Sequence, residues 1–220
     1  GTLIGARLGE VIFYSWNYYQ NNLVEIFLPI KKDINDSLFF GIIDGWKFVG
    51  YRGLASHGAA IGILVAMFIY KSKFKFNSVL WIFDRIAIPI TIGGMFVRIG
   101  NFFNSEIVGN YTESNFGVVF LNNAEIFPRH PAQLYEAFGY LLLFILLRQL
   151  YWKTELKNKT GFLFGVFLTS LFSIRVLVEY VKESQGGYIE ELLGILSTGQ
   201  WLSIPLILTG IFFMLKSKKA

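Results

Sequence analysis

Between Gly93 and Gly109 the chain reads Gly-Gly-Met-Phe-Val-Arg-Ile-Gly-Asn-Phe-Phe-Asn-Ser-Glu-Ile-Val-Gly, which gathers Arg98, Asn101, Asn104, Ser105 and Glu106 into one short run. At helical spacing Arg98, Asn101 and Ser105 share one face. An apolar stretch, Leu80 to Phe96, leads into them and is long enough to enter a bilayer. A cation within or beside such a span costs about 2.5–3.5 kcal/mol on insertion scales unless it is paired or hydrated. Two chemistries meet that demand. Arg98 could pair with Glu106, ending the helix and snorkelling to the interface. Alternatively the guanidinium, amides and glycine backbone form an anion-binding head suited to a phosphate. Polar groups at other helix ends favour the second.

Those groups are few and distinctive. His57 follows Ser56 and precedes Gly58 and further small residues, which let another helix or a lipid headgroup approach closely. It is a general-base candidate because imidazole titrates near neutral pH, although an interfacial hydrogen-bonder would look the same. The run His130-Pro-Ala-Gln-Leu-Tyr-Glu136 opens another helix, with proline suited to the first turn. Gln133, Tyr135 and Glu136 carry polar chemistry into that otherwise apolar segment. Arg175 and Glu179 are four apart, either a self-satisfying pair or a second cation with its carboxylate. Arg7 and Glu10 pose the same choice.

The elements that position these residues are membrane spans. Of 220 residues, 54% are hydrophobic and only 16% charged, and the apolar residues fall in long runs, so the chain is too apolar for an ordinary soluble domain. The pattern predicts an all-α polytopic membrane protein with about six transmembrane helices. They run over about Thr2 to Tyr19, Leu54 to Tyr70, Val79 to Phe96, His130 to Tyr151, Phe162 to Val181 and Leu202 to Leu215. Residues 20–52 support no span and could hold a short interfacial helix, and an outer polar loop is expected over residues 107–129. The whole chain, 1–220, reads as one membrane-embedded domain without internal repeats. There is no cysteine, hence no disulfide and no thiol nucleophile of its own, and with two histidines a structural zinc site is not expected. No metal or other cofactor is implied. The net charge of +5 is modest and lies mostly between spans, a topology signal rather than a nucleic-acid surface. The chain starts at Gly1, already inside an apolar stretch, and is expected to lack an N-terminal portion.

Dense Lys/Arg occurs at Lys71–Lys75, Arg148–Lys159 and Lys216–Lys219, while the intervening segments hold most acids, among them Asp33, Asp36, Glu113, Glu125, Glu190 and Glu191. The positive-inside rule places the three basic segments in the cytoplasm. His57, Arg98–Glu106, His130–Glu136 and Arg175–Glu179 then all lie at the outer ends of their spans. One site explains four polar clusters on one face more simply than four structural coincidences. Two arginines beside amides at headgroup depth suit a phosphate ester, most simply an anionic phospholipid, and a nearby histidine could take a proton from a nucleophile.

The stretch from Gly93 to Gly109 resembles the signature of the bacterial prolipoprotein diacylglyceryl transferases. Ser56-His57-Gly58, His130-Pro-x-Gln-Leu-Tyr-Glu136, Arg175-x-x-x-Glu179 and Gly199-Gln-x-Leu-Ser-Ile-Pro205 follow in that family's order, and Gly5-x-Arg-x-Gly9 is similar to its second membrane helix. The resemblance implies an inner-membrane enzyme, acting as a monomer with its site toward the non-cytoplasmic face. Such an enzyme moves a diacylglyceryl group from phosphatidylglycerol to the lipobox cysteine thiol of a preprolipoprotein, and the products are a thioether and glycerol phosphate. It also implies that a first membrane helix, carrying a functional tyrosine, precedes Gly1. By the same resemblance Arg98 and Arg175 bind the headgroup, and Asn101, Glu106 and Gly109 shape its pocket. His57 is the essential histidine, and Gly58, His130, Gln133, Glu136 and Glu179 are further substrate-binding candidates. Val97, Ala59 and Asn110 depart from the pattern; the first two narrow the backbone approach and the third removes a cation. A transporter or flippase for an anionic phospholipid is the rival reading, but it would more often show pseudo-symmetry and midplane polar groups. A non-catalytic scaffold would not need His57 with two arginines.

Overall fold

The computed structural model describes residues 1–38, 41–50, 55–75, 78–183 and 196–219. Leu54, Glu190 and Glu191 lie outside the described residues, and so do the side chains of Ser56 and His57. The chain divides into two compact units, Gly1–Val79 and Leu80–Ala220.

In the first unit, helix α1 (Thr2–Phe13) packs on helix α4 (Ser56–Phe74). Between them come two one-turn helices, α2 (Trp16–Tyr19) and α3 (Val24–Phe27), and an antiparallel hairpin of β1 (Ile30–Leu38) and β2 (Ile43–Phe48). The α1–α4 seam is made of small residues four apart. A Cβ on Gly5 would collide with the Gly58 carbonyl and come within 2.8 Å of Gly62 Cα, and one on Gly9 would come within 2.8 Å of Gly58 Cα. This close backbone contact lets many van der Waals attractions add up along the seam. The Ala55 N–H donates to the Ala6 carbonyl at 3.0 Å. Arg7 is buried, donating from Nε to Ile26 O at 3.1 Å and from Nη2 to Glu25 O at 2.5 Å, with its guanidinium 4.7 Å from the Tyr19 ring centroid. It thereby ties α2 and α3 back to α1, while Glu10 accepts from Ser15 Oγ at 2.9 Å.

Among the described residues, the α-helices of the second unit are α5 (Val79–Phe103), α6 (Ala132–Lys153), α7 (Phe162–Glu179) and α8 (Thr198–Lys216). Ala87, Leu143, Leu147, Leu163, Phe167 and Leu168 form their core. Asp84 is buried in α5 and accepts from Gly161 N at 2.6 Å and Phe164 N at 2.8 Å, so it satisfies amides that the first turn of α7 leaves open. Strand β3 (Val118–Val119) pairs with β4 (Pro128–Arg129) ahead of α6, and β5 (Lys159–Thr160) pairs with β6 (Lys218–Lys219). The starts of α5 and α7 and the ends of α6 and α8 therefore meet at one end, with the basic segments Arg148–Lys159 and Lys216–Lys219. The end of α5, the start of α6, the end of α7 and the start of α8 gather at the other.

Four helices among the described residues, α5 to α8 (the last counted from Gly199), are long and apolar enough to cross a membrane. The protein is a polytopic membrane protein on that basis, but four such helices do not confirm the six expected. Helix α1 ends at Phe13, six residues short of Tyr19, because the chain turns into α2. Helix α4 carries Lys71 and Lys73 in its last turn, beyond the expected limit at Tyr70. Helix α5 extends past Phe96 to Phe103 and so makes Arg98 and Asn101 helical residues. The β1–β2 hairpin was not expected either. Its charges, with Asp36 and Lys47 paired at 2.6 Å, obscure the alternation that marks a strand.

The seam gives a direct test. Gly62→Leu would drive a side chain into Gly1 and Gly5 and should lower the thermal unfolding midpoint in detergent, a loss of about 1–3 kcal/mol. Gly93→Ala, whose Cβ would meet nothing within 4 Å, should leave it unchanged or slightly higher.

Candidate functional site

The extension of α5 brings its polar tip against the first turns of α6. Arg98 Nε forms an ion pair with Glu136 Oε2, and both side chains are largely shielded from solvent. Arg98 Nη1 also reaches Asn101 Oδ1 at a long 3.4 Å, and Asn101 Nδ2 donates to Glu106 Oε2 at 2.8 Å. The circuit closes through Gln133, whose Nε2 donates to the Glu106 carbonyl at 2.6 Å. Gln133 and Glu136 lie three residues apart on one face of α6, so a single helix turn grips both ends of the 98–106 segment. The expected alternative of an Arg98–Glu106 pair is not what forms: Glu136 neutralises the cation, and Glu106 orients the amide of Asn101.

The turn that carries Glu106 is strained. Ser105 and Ile107 have φ of +57° and +56°, a left-handed conformation that is costly for a β-branched isoleucine. Asn123 Nδ2 donates to Ser105 O at 3.1 Å, Asn122 Nδ2 to Phe103 O at 3.4 Å, and Glu106 N to Asn101 O at 2.9 Å. These bonds and the Gln133 anchor hold the turn in place.

Just beyond it, Val108 to Asn110 threads between the strand before α6 and the end of α7. Gly109 N donates to His130 O at 3.0 Å, His130 N to Asn110 O at 2.9 Å and Asn110 N to Val181 O at 2.8 Å. No side chain fits at Gly109, since a Cβ would come within 2.6 Å of His130 Cβ and 2.7 Å of Val181 O. His130 Nδ1 lies 3.2 Å from the Tyr135 hydroxyl.

On α7, Arg175 and Glu179 do not pair with each other among the described residues. Glu179 accepts from Lys182 at 3.4 Å and lies so close to Gly199 that a Cβ there would come within 2.8 Å of Oε1. It faces the first turn of α8, where free amides and the helix dipole favour an anion. A capping box completes that turn, with Gln200 N donating to Ser197 Oγ and Ser197 N to Gln200 Oε1. Arg175 is left with a buried Nε that has no hydrogen-bond partner among the described residues. Its charge and that of Arg98 both act on the Tyr140 hydroxyl, so the two cations flank one buried tyrosine.

The second unit thus brings together Arg98, Asn101, Glu106, Gln133, Glu136 and Arg175, with Gly109, His130 and Glu179 beside them. His57 and Gly58 belong to the other unit, in the first turn of α4, where Gly58 lies against Gly5 and Gly9. Sequence reasoning missed two residues. Tyr140 stands one turn after Glu136, a spacing that could have revealed it. Arg129 donates to Glu125 at 2.7 Å, Glu183 at 3.1 Å and Gly109 O at 3.2 Å, and the Glu125 hydrogen bond raises its pKa. Only its position next to His130 hinted at that role.

Chemically, two guanidinium groups around a protected hydroxyl, one holding an unfilled buried donor, make a receptor for an oxyanion. The tight passage at Gly109 is separately testable: Gly109→Ala should destabilise the protein by about 1–3 kcal/mol, read as a lower unfolding midpoint in detergent.

Comparison with known proteins gives the chemistry a direction. Residues 1–216 match the family model for prolipoprotein diacylglyceryl transferase. A protein of Bacteroides fragilis is 42% identical over 214 residues, covering 97% of this chain and 73% of its own length. Proteins of Tolumonas auensis and Chloroherpeton thalassium are 43% and 40% identical over 219 residues, covering 100% of this chain and 76% and 73% of their own lengths. All three bear the name phosphatidylglycerol–prolipoprotein diacylglyceryl transferase.

Proposed function

The chain belongs to the prolipoprotein diacylglyceryl transferase family, and from that premise we propose that Arg98 and Arg175 hold the phosphate of the lipid it consumes. The protein is a transferase that moves a diacylglyceryl group from phosphatidylglycerol to prolipoprotein, the first step of lipoprotein maturation. The observation that carries the site assignment is the buried Nε of Arg175, unpartnered among the described residues, with Arg98 already oriented by Glu136.

In this reading the acceptor is the lipobox cysteine. Its sulfur bonds to the glyceryl carbon that carried the phosphate, and the carbon–oxygen bond to phosphate breaks. Glycerol phosphate leaves with the electron pair, giving a thioether. Cationic groups at the phosphate stabilise the charge that grows on the leaving oxygen. The thiol must lose its proton, since the thiolate is the nucleophile. His57 is our proposed acceptor of that proton. Asn101 and Glu106 keep the cationic tip of α5 in register, while Gly109 and His130 hold the adjoining segment. Glu179 steadies the end of α7 near Arg175, and Gly58 lets α1 pack on α4. Both units are parts of one transferase domain that acts as a monomer in the inner membrane, with the site toward the non-cytoplasmic face. The gathering of basic segments at the opposite end of the second unit supports that orientation.

The test is transfer from radiolabelled phosphatidylglycerol to a lipobox peptide in vesicles, because a transporter or flippase would form no covalent adduct. Arg98→Ala and Arg175→Ala should each lower the rate by about 10²-fold or more while leaving membrane insertion intact. Transfer at the wild-type rate by Arg98→Ala would refute the phosphate pocket. Loss of transfer in His57→Asn, with insertion intact, is the expected sign of a proton-transfer role, and near-normal transfer would remove His57 from it.

A further inference from the structure

Among the described residues, three polar atoms in the site are buried without a partner: Gln133 Oε1, Glu136 Oε1 and Arg175 Nε. Gln133 and Glu136 are only 1% and 2% exposed, and each has one end already committed, to the Glu106 carbonyl and to Arg98. Folded proteins leave very few buried polar atoms unfilled, because stripping away water without a replacement bond is costly. The group that completes this site must therefore bring hydrogen-bond donors to two acceptors on α6 and an acceptor to one donor on α7.

Simple anions and simple cations each fail that test. A phosphate ester without hydroxyls would fill Arg175 and leave both oxygens of α6 empty. A cationic headgroup would find Glu136 already neutralised by Arg98. A phosphodiester of a polyol fits, since its phosphate oxygen accepts while its hydroxyls donate. The glycerol headgroup of phosphatidylglycerol carries two such hydroxyls, matching the two acceptors set three residues apart on one face of α6. The Asn101–Glu106 hydrogen bond is exposed, so the polar tip of α5 reaches the surface.

We propose that Gln133 Oε1 and Glu136 Oε1 read the headgroup hydroxyls of phosphatidylglycerol while Arg175 Nε takes an oxygen of its phosphate. This rests on the transferase reading above. It makes Gln133 and Glu136 determinants of lipid specificity as well as supports for the α5 tip.

The experiment compares phosphatidylglycerol with phosphatidylpropanol, which has the same phosphodiester and three-carbon headgroup but no hydroxyls there. Transfer to a lipobox peptide is measured for the wild type, Gln133→Met and Gln133→Glu. The wild type should prefer phosphatidylglycerol by roughly tenfold or more in kcat/KM. Gln133→Met should shrink that ratio several-fold, and Gln133→Glu, which keeps acceptor oxygens, should preserve most of it. A merely structural role would slow both lipids equally and leave the ratio untouched. If Gln133→Met is too slow to assay, the ratio of the two lipids retained by the purified protein, read by mass spectrometry, makes the same comparison without turnover. Equal use of both lipids by the wild type, or an unchanged ratio in Gln133→Met, would overturn the proposal and assign those oxygens to ordered water. Absence of any adduct from phosphatidylglycerol with the wild type would instead overturn the transferase reading, while the retained-lipid ratio would still decide headgroup recognition.

Discussion

A guanidinium at the end of a membrane-spanning helix must find a counter-charge, and here it finds one on another helix. The Arg98–Glu136 pair joins the tip of α5 to the first turns of α6, and most of the polar geometry of the second unit follows from it. Removing one partner of such a shielded pair leaves the other uncompensated, commonly a loss of about 3–5 kcal/mol. With Arg98 fixed, Asn101 and Glu106 fall into line, and Gln133 closes the circuit from the helix that supplies Glu136. Arg98 is thereby oriented before any ligand arrives, whereas Arg175 retains an unfilled donor. One arginine is built into the scaffold and the other is kept available.

Holding the pair there takes structural work at both ends of the bundle. At the basic end Asp84 closes the first turn of α7, and the β5–β6 pairing fastens the end of α8 to the connection before α7. At the polar end, backbone bonds from Asn110 and Gly109 lace together the segment after α5, the entry to α6 and the exit from α7. The left-handed Ser105 and Ile107 store strain where Glu106 must turn back toward Asn101, as is common where a site over-determines its backbone.

Much of this could be read from residue types. Long apolar runs identified helices that could cross a membrane, and the clustering of Arg98, Asn101, Glu106, Gln133, Glu136 and Arg175 followed from their positions near helix ends. Pairing could not be read so well. Local spacing made Glu106 the natural partner of Arg98 and Glu179 that of Arg175, yet the ion pair to Arg98 comes from 38 residues away along the chain and Glu179 turns to Lys182 and the start of α8. Tertiary proximity overrode helical proximity in both cases. The hairpin of β1 and β2 was hidden because Lys31, Lys32, Asp33 and Asp36 crowd β1 and break its alternation with apolar residues. Helix ends were misjudged wherever polar side chains stay on the helix, as at Arg98 and Lys71.

The glycine seam between α1 and α4 has a further consequence. Gly1, Gly5 and Gly9 face Gly58, Gly62 and Ala66, so the close-approach surface repeats every four residues on both helices. Four residues advance a helix by about 6 Å, and a slide of that size would bring small residue onto small residue again. Backbone fit alone therefore cannot tell one alignment from the next. The distinction comes from features that do not repeat: the single bond from Ala55 N to Ala6 O, and the grip of Arg7 on the carbonyls of Glu25 and Ile26. In this helix pair the glycines provide adhesion, and a lone arginine provides the vernier.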